Sequence, residues 1–240
     1  MYFDTYHYTN KGGRLYNEDC ADYRIKGDCG MFILADGLGG HTHGQAAAQI
    51  VTKTFLNHLM EENIHDSRWF EAKVQEMNQA VCEQQKKNGS NMRSTMVALC
   101  VDKKSAVWAH VGDSRLYYLS EGKLKEITKD HSVAYTKYLL GEITKDQIAL
   151  DADQSCLLRS IGGEKVTPDI RLWEEELKNG DGFLLCSDGL WEYLKDEEVL
   201  IDYLKSQNAK KWAEYMLLRV MERIPSNNDN MTLITLVLHE

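Results

Sequence analysis

The stretch Met31-Phe32-Ile33-Leu34-Ala35-Asp36-Gly37-Leu38-Gly39-Gly40-His41-Thr42-His43-Gly44 decides how this chain is read. Its apolar run predicts a buried strand, and that strand ends on an acid. A glycine follows, then a Gly-Gly pair, and an Ala-rich helix opens near Gln45. A carboxylate at the end of a buried strand needs a partner to stay charged, and a cation is the usual one. The glycines let backbone carbonyls come as close to that cation as the side chain does. Taken alone, the stretch also fits a tight strand-to-helix turn that merely carries an Asp.

Recurrence separates the two readings. Phe183-Leu184-Leu185-Cys186-Ser187-Asp188-Gly189-Leu190 repeats the order of apolar strand, Asp, Gly and Leu. Val107 to Arg115 puts Asp113 in a turn after another strand, and Asn227-Asn228-Asp229-Asn230 precedes the last one. Asn17-Glu18-Asp19 adds an acidic pair between two early strand-like segments. Acids at the ends of separate strands are how a fold converges oxygen ligands on a hard divalent cation.

The length and composition suit one globular domain, or at most two small ones. The chain has 240 residues, 43% hydrophobic and 27% charged, enough to bury a substantial core. A net charge of -9 argues against a nucleic-acid surface, which needs a basic face. No apolar run reaches membrane-spanning length, and Met1 to Thr5 lacks the zones of a signal peptide. The cysteines Cys20, Cys29, Cys82, Cys100, Cys156 and Cys186 have no C-x-x-C spacing. Buried free thiols in a reducing cytoplasm are expected, with no zinc site.

Along the chain, Thr5 to Thr9 reads as a strand, and Asp22 to Ile25 with Met31 to Ala35 as a strand pair. Ala47, Ile50, Val51, Phe55 and Leu59 predict one helix, and Trp69 to Val81 a second. Thr95 to Val101, Ser105 to Val111, Arg115 to Leu119 and Leu124 to Thr128 read as an antiparallel meander, with Glu121-Gly122 as a hairpin turn. Lys129 to Leu157 turns to short polar helices, the best candidate for a mobile insert. Ile170 to Trp173 and Gly182 to Cys186 are strands. Two helices follow, the first with Asp196 as its cap, and Met231 to Leu238 is a final strand. Antiparallel runs with helices in two batches predict an α+β layered architecture.

Two hard cations roughly 3.5–4 Å apart can clamp a phosphoryl group for in-line displacement. Asp36 is the candidate bridge between them, with the Gly37 carbonyl as a neighbouring ligand. Asp188 and Asp229 complete one metal, and Glu18 and Asp19 act directly or through coordinated water. All-oxygen ligation suits magnesium or manganese. Arg14 is either a solvated ion-pair partner of the acids or a reader of a bound anion. His41 and His43 form an H-x-H spacing that lacks further zinc ligands. No His-Cys-x5-Arg signature is present, and the glycines after Asp36 do not make a dinucleotide fingerprint.

Eight motifs now stand in order: Arg14 with Asn17-Glu18-Asp19, Asp36 to His41, Ser94-Thr95, Gly112-Asp113-Ser114-Arg115, Asp130-His131-Ser132, Arg159-Ser160-Ile161-Gly162, Ser187-Asp188-Gly189-Leu190 and Asp229-Asn230-x-Thr232. In that order the chain, from Thr9 to Leu238, resembles the metal-dependent protein phosphatase family. These are the type 2C Ser/Thr phosphatases, and the likeness is to the short bacterial members. The resemblance implies a four-layer αββα sandwich, one catalytic domain over 1–240, and a flap at about 131–156. It implies a centre of two Mn²⁺ or Mg²⁺ bridged by Asp36, with Asp188, Asp229, Asp19 and Glu18 around it. Arg14 matches the phosphate-binding arginine, and Asp113 with Asp188 matches a third, weaker metal site. The implied reaction is direct hydrolysis of phosphoserine or phosphothreonine by a metal-bridging hydroxide. Relatives from eukaryotes carry a histidine after Asp-Gly where this chain has Leu38, which leaves His41 or a metal-bound water as the proton donor. The implied partner is a phosphorylated protein in a cytoplasmic pathway, paired with a Ser/Thr kinase, with no nucleic acid and no membrane. A phosphoprotein-binding pseudophosphatase and a hydrolase of small phosphoesters are the alternatives on the same fold. With the chain spent on one domain, no sensor, anchor or recruitment module is expected.

Overall fold

The computed structural model describes residues 1–40, 42–57, 66–103 and 105–239. In chain order the strands are β1 (Tyr2–Asn10), β2 (Cys20–Lys26), β3 (Cys29–Ala35), β4 (Gly37–Leu38), β5 (Arg93–Ser94), β6 (Met96–Val101), β7 (Ala106–Val111), β8 (Arg115–Ser120), β9 (Lys123–Ile127), β10 (Asp169–Trp173), β11 (Gly182–Cys186) and β12 (Met231–His239). The helices are α1 (Thr42–Leu56), α2 (Ser67–Asn88), α3 (Val133–Leu139), α4 (Asp188–Trp191), α5 (Asp196–Lys205) and α6 (Ala209–Met221), with a 3₁₀ turn at Lys145–Leu150.

Two five-stranded antiparallel sheets stack face to face. One has the order β1-β12-β11-β8-β9, the other β10-β7-β6-β3-β2. The deciding stretch shows why. Phe32 and Leu34 pack into the core between the sheets, with Trp108, Tyr118, Phe183 and Ile234. Met31, Ile33 and Ala35, on the alternate face, pack against Val51 and Phe55 of α1 and Val74 and Met77 of α2. A strand covered on both faces has no polar side to show, so it reads as an unbroken apolar run. β11 behaves alike: Phe183 and Leu185 face the other sheet, while Leu184 and Cys186 meet Trp212 and Met216 of α6. The result is the four-layer αββα sandwich.

Several local expectations hold and several do not. Glu121 and Gly122 both adopt positive φ (53° and 70°), as a two-residue turn twisted to match its strands requires. Gly89 ends α2 in the left-handed region. The four-strand meander, however, is two hairpins in different sheets: β6–β7 lies in one, β8–β9 in the other. The chain changes sheet through Gly112 to Ser114. α5 begins with Asp196 already inside its first turn and Lys195 at the cap position. Only Cys100 and Cys186 are buried, and Cys156 is exposed, although all six thiols are free. Leu59 lies outside the described residues. The 131–156 insert carries α3 and the 3₁₀ turn, and its ends meet in a bridge between Ser132 and Leu157. Among the described residues no helix is long and apolar enough to cross a membrane.

Candidate metal centre

The acids of the sequence motifs stand at strand ends on one side of the sandwich. Asp36 follows β3, Asp113 follows β7, Asp188 follows β11, Asp229 precedes β12, and Glu18 and Asp19 precede β2. Arg14, Glu18, Asp36, Gly37, Asp188 and Asp229 line one cleft of about 640 Å³, together with Ser155 of the insert. Asp19 and Asp113 are buried behind it. His41, the remaining candidate, lies outside the described residues.

Backbone clamps fix each acid. Asp36 N–H donates to Thr95 Oγ1 at 2.9 Å, while its carbonyl accepts from Thr95 N at 2.8 Å and Ser94 Oγ at 3.0 Å. The Thr95 hydroxyl also shares a 2.7 Å hydrogen bond with Ser114, which ties the Asp36 turn to the Asp113 turn. Asn230 plays the same part on the other sheet. Its Oδ1 accepts from Glu18 N–H at 2.7 Å, and its Nδ2 donates to the carbonyls of Lys11 and Tyr16. The Ser187 hydroxyl donates to Asp19 Oδ2 at 2.8 Å. The recurring Asp-Gly pairs have a common cause. A side-chain carbon at Gly37 would stand 2.1 Å from the Gly44 carbonyl oxygen, and one at Gly189 2.1 Å from that of Asn230. Each glycine lets a second chain segment pass directly over the acid.

Crowding then sets the electrostatics. Burial, followed by the charges of Asp19, Asp188, Asp113 and Asp229, holds Asp36 well above the usual carboxylate range. Asp113 is raised in the same way, by burial and then by Asp188 and Asp130. Burial, with Asp188 and Asp229 adding to it, pushes Asp19 up to about 7, even though Thr232 and Ser187 hydrogen-bond to it. Asp188 rises to about 6 through burial and the neighbouring Asp229. Asp19 Oδ1 is buried without a hydrogen-bond partner. Such an arrangement is costly for a protein standing alone and favourable around positive charge. The donors are all oxygen, so the residues present fit hard divalent cations. Arg14 Nη2 donates to Asp229 Oδ2 at 2.8 Å, with the arginine side chain 56% exposed.

A second cluster arises from residues that share no spacing signal in the sequence. His110, His131 and Asp169 bring ligand atoms within 4.8 Å of one another. Gly112 N–H donates to His131 Nδ1 at 3.2 Å, and His131 Nε2 lies 3.3 Å from Asp169 Oδ2 and 3.2 Å from Arg159 Nη1. Arg159 donates to the same carboxylate at 2.7 Å. With the Arg159 guanidinium already paired to the carboxylate, the trio reads as an ion-pair network supporting the Gly112 turn. Thr95, Ser187, Asn230 and His131 all occur in the eight motifs, but the sequence reading gave none of them a role. Their signal was the side-chain hydroxyl or amide standing next to an acid in each motif.

The chain is similar to known proteins in sequence and in fold. The protein phosphatase 2C family model matches residues 8–219. The chain is 33% identical over 174 residues to the serine/threonine protein phosphatase PstP of Mycobacterium tuberculosis, covering 71% of this chain and 33% of PstP. It therefore spans about a third of that relative. It is 31% identical over 205 residues to the serine/threonine phosphatase stp of Listeria welshimeri, covering 82% of this chain and 80% of the relative. A crystal structure of PstP superposes with a TM-score of 0.87 at 28% identity, covering 99% of both chains. The PstP catalytic domain in complex with 2 manganese ions gives 0.85 at 27% identity, again covering 99% of both.

Proposed function

The chain belongs to the protein phosphatase 2C family, and from that premise we propose that it is a metal-dependent phosphatase of phosphoserine and phosphothreonine in proteins. The observation that carries the reading is the meeting of Glu18, Asp36, Asp188 and Asp229 with Arg14 in one cleft. Asp36, the Gly37 carbonyl, Asp188, Asp229, Glu18 and Asp19 would hold two Mn²⁺ or Mg²⁺, and Asp113 with Asp188 a third. Bound there, the cations supply positive charge against the phosphoryl oxygens and acidify water for attack on phosphorus.

The chain's own residues supply the rest. Thr95 and Asn230 hold the acids in register, so little reorganisation is needed when substrate arrives. Arg14 lies at the mouth of the cleft, exposed enough to turn from Asp229 and fork onto a phosphoryl group. In the reaction the water oxygen bonds to phosphorus and the bond to the seryl or threonyl oxygen breaks. Leu38 lines the cleft and has no proton to give. With no donor at position 38, we assign the leaving oxygen's proton to water or to His41. Six free thiols suit a reducing compartment, so we place the enzyme in the cytoplasm, opposite a Ser/Thr kinase.

The test measures phosphate release from phosphoserine, phosphothreonine and phosphotyrosine peptides, with Mn²⁺ and with a chelator. Asp36→Asn and Asp188→Asn are each expected to abolish Mn²⁺-stimulated release while the circular dichroism spectrum stays native. Unchanged activity in either variant removes that residue from the ligand set, and release that persists in chelator ends the metal-dependent reading.

A further inference from the structure

The loop 11–17 carries Arg14, and beside it two large apolar side chains that no metal or phosphate needs. Leu15 is 82% exposed and Tyr16 47%, and both line the same cleft as Asp36 and Arg14. Isolated exposed leucines are ordinary on protein surfaces. Here the pair is consecutive, adjoins the arginine, and shares its cleft with Leu38.

The loop is also held in one shape. Asn230 Nδ2 donates to the Lys11 carbonyl at 2.8 Å and to the Tyr16 carbonyl at 2.9 Å. Gly13 N–H donates to the Asn228 carbonyl at 3.0 Å, and Asn17 Nδ2 to Thr9 Oγ1 at 2.8 Å. These bonds run through the main chain or through Asn17, so the Leu15 side chain is presented without contributing to them. A surface ordered before binding loses little entropy when covered.

We propose that Leu15 and Tyr16 form an apolar shelf selecting substrates with a large apolar residue next to the phosphorylated serine or threonine. The inference rests on the phosphatase reading above. Arg14, Leu15 and Tyr16 line one cleft, so a phosphate on Arg14 brings the residues flanking the phosphorylated one within reach of the shelf. The acids around the cleft and the net charge of -9 disfavour acidic neighbours at that position. Hydrocarbon is the partner that gains there.

The test compares kcat/KM for equal-length phosphothreonine peptides with Leu, Phe, Gly or Asp on either side, in Mn²⁺. Wild type is expected to favour the Leu and Phe peptides over Gly by about tenfold, mainly through KM. Leu15→Ser and Tyr16→Ser should each shrink that ratio, the pair together to about twofold or less, while Leu15→Met keeps it. A flat wild-type profile, or a preference that survives both serine substitutions together, overturns the shelf. Hydrolysis without an apolar preference defeats the shelf alone. Absence of hydrolysis of every peptide defeats the phosphatase reading, and the shelf with it.

Discussion

Replacing Asp19 by Asn should stabilise this protein in chelator and make it deaf to manganese. Burial and the charges of Asp188 and Asp229 raise Asp19 to about 7, against about 3.9 in an unfolded chain. A carboxylate raised in this direction favours the fold at low pH and loses that contribution as pH rises through the folded value. At pH 8 the ionised side chain therefore costs the metal-free fold about 4 kcal/mol. Asn removes the charge and keeps an oxygen for the Ser187 hydroxyl, but sets an amide NH₂ where Oδ1 has no partner. That unsatisfied donor costs about 1–3 kcal/mol. The net gain is about 1–3 kcal/mol, or about 2–12 °C in Tm for a chain of this size. Near pH 5 the wild-type carboxyl is protonated in the fold, and the advantage should vanish. Manganese at a hundred times its Kd should add about 2.7 kcal/mol to wild type and far less to the variant. Thermal melts in EDTA at pH 5 and 8, then in Mn²⁺, read all of this, and the order of the two proteins should invert between EDTA and Mn²⁺ at pH 8. An Asp19→Asn protein that melts below wild type in EDTA at pH 8, or that gains as much from manganese, would refute the reasoning.

Two further outcomes follow from named contacts. Arg14→Ala should raise KM for phosphopeptides several-fold if, as proposed, the arginine meets ground-state phosphate as well as the transition state, and steady-state kinetics showing a pure kcat loss would assign it elsewhere. Asp130→Ala should cost about 3–5 kcal/mol in denaturant titrations, because it strips a buried guanidinium of its bidentate partner. Arg115 donates to Asp130 at 2.8 and 2.7 Å while lying 3.6 Å over the Trp191 ring. The paired change Arg115→Met with Asp130→Leu should recover most of that loss, and a double variant as unstable as Asp130→Ala would show that packing, not unpaired charge, dominates there.

Much of this arrangement is legible in the residues themselves. The run Met31 to Ala35 and its echo Phe183 to Cys186 announce central strands, because hydrocarbon on both faces leaves no other pattern. Asp36, Asp188 and Asp229 announce a shared site, because a costly residue repeated at strand ends needs a common purpose. The jump from β7 to β8 is not legible: a short polar link of Gly112 to Ser114 looks the same whether the chain doubles back or changes layer. Nor is the meeting of His110, His131, Arg159 and Asp169, which are spread over 59 intervening steps of chain and carry no mutual spacing. The cap of α5 was misplaced by one residue because Asp196 serves a first helical turn as well as it serves a cap. Full burial of the thiols holds for Cys100 and Cys186 alone, and Cys156, in the polar insert, is exposed.

Asp36 follows a strand of one sheet, Asp188 and Asp229 flank strands of the other, and Asp113 lies in the link between the two. A cation held between them is thus a rivet through both leaves of the sandwich, set at a single end. Any distant substitution that lets one leaf slide across the other by a fraction of a pleat will pull the rivet's two halves out of line. On the proposed function, turnover would gauge how the leaves are seated, and a lesion far from the cleft would register there before the fold itself gives way.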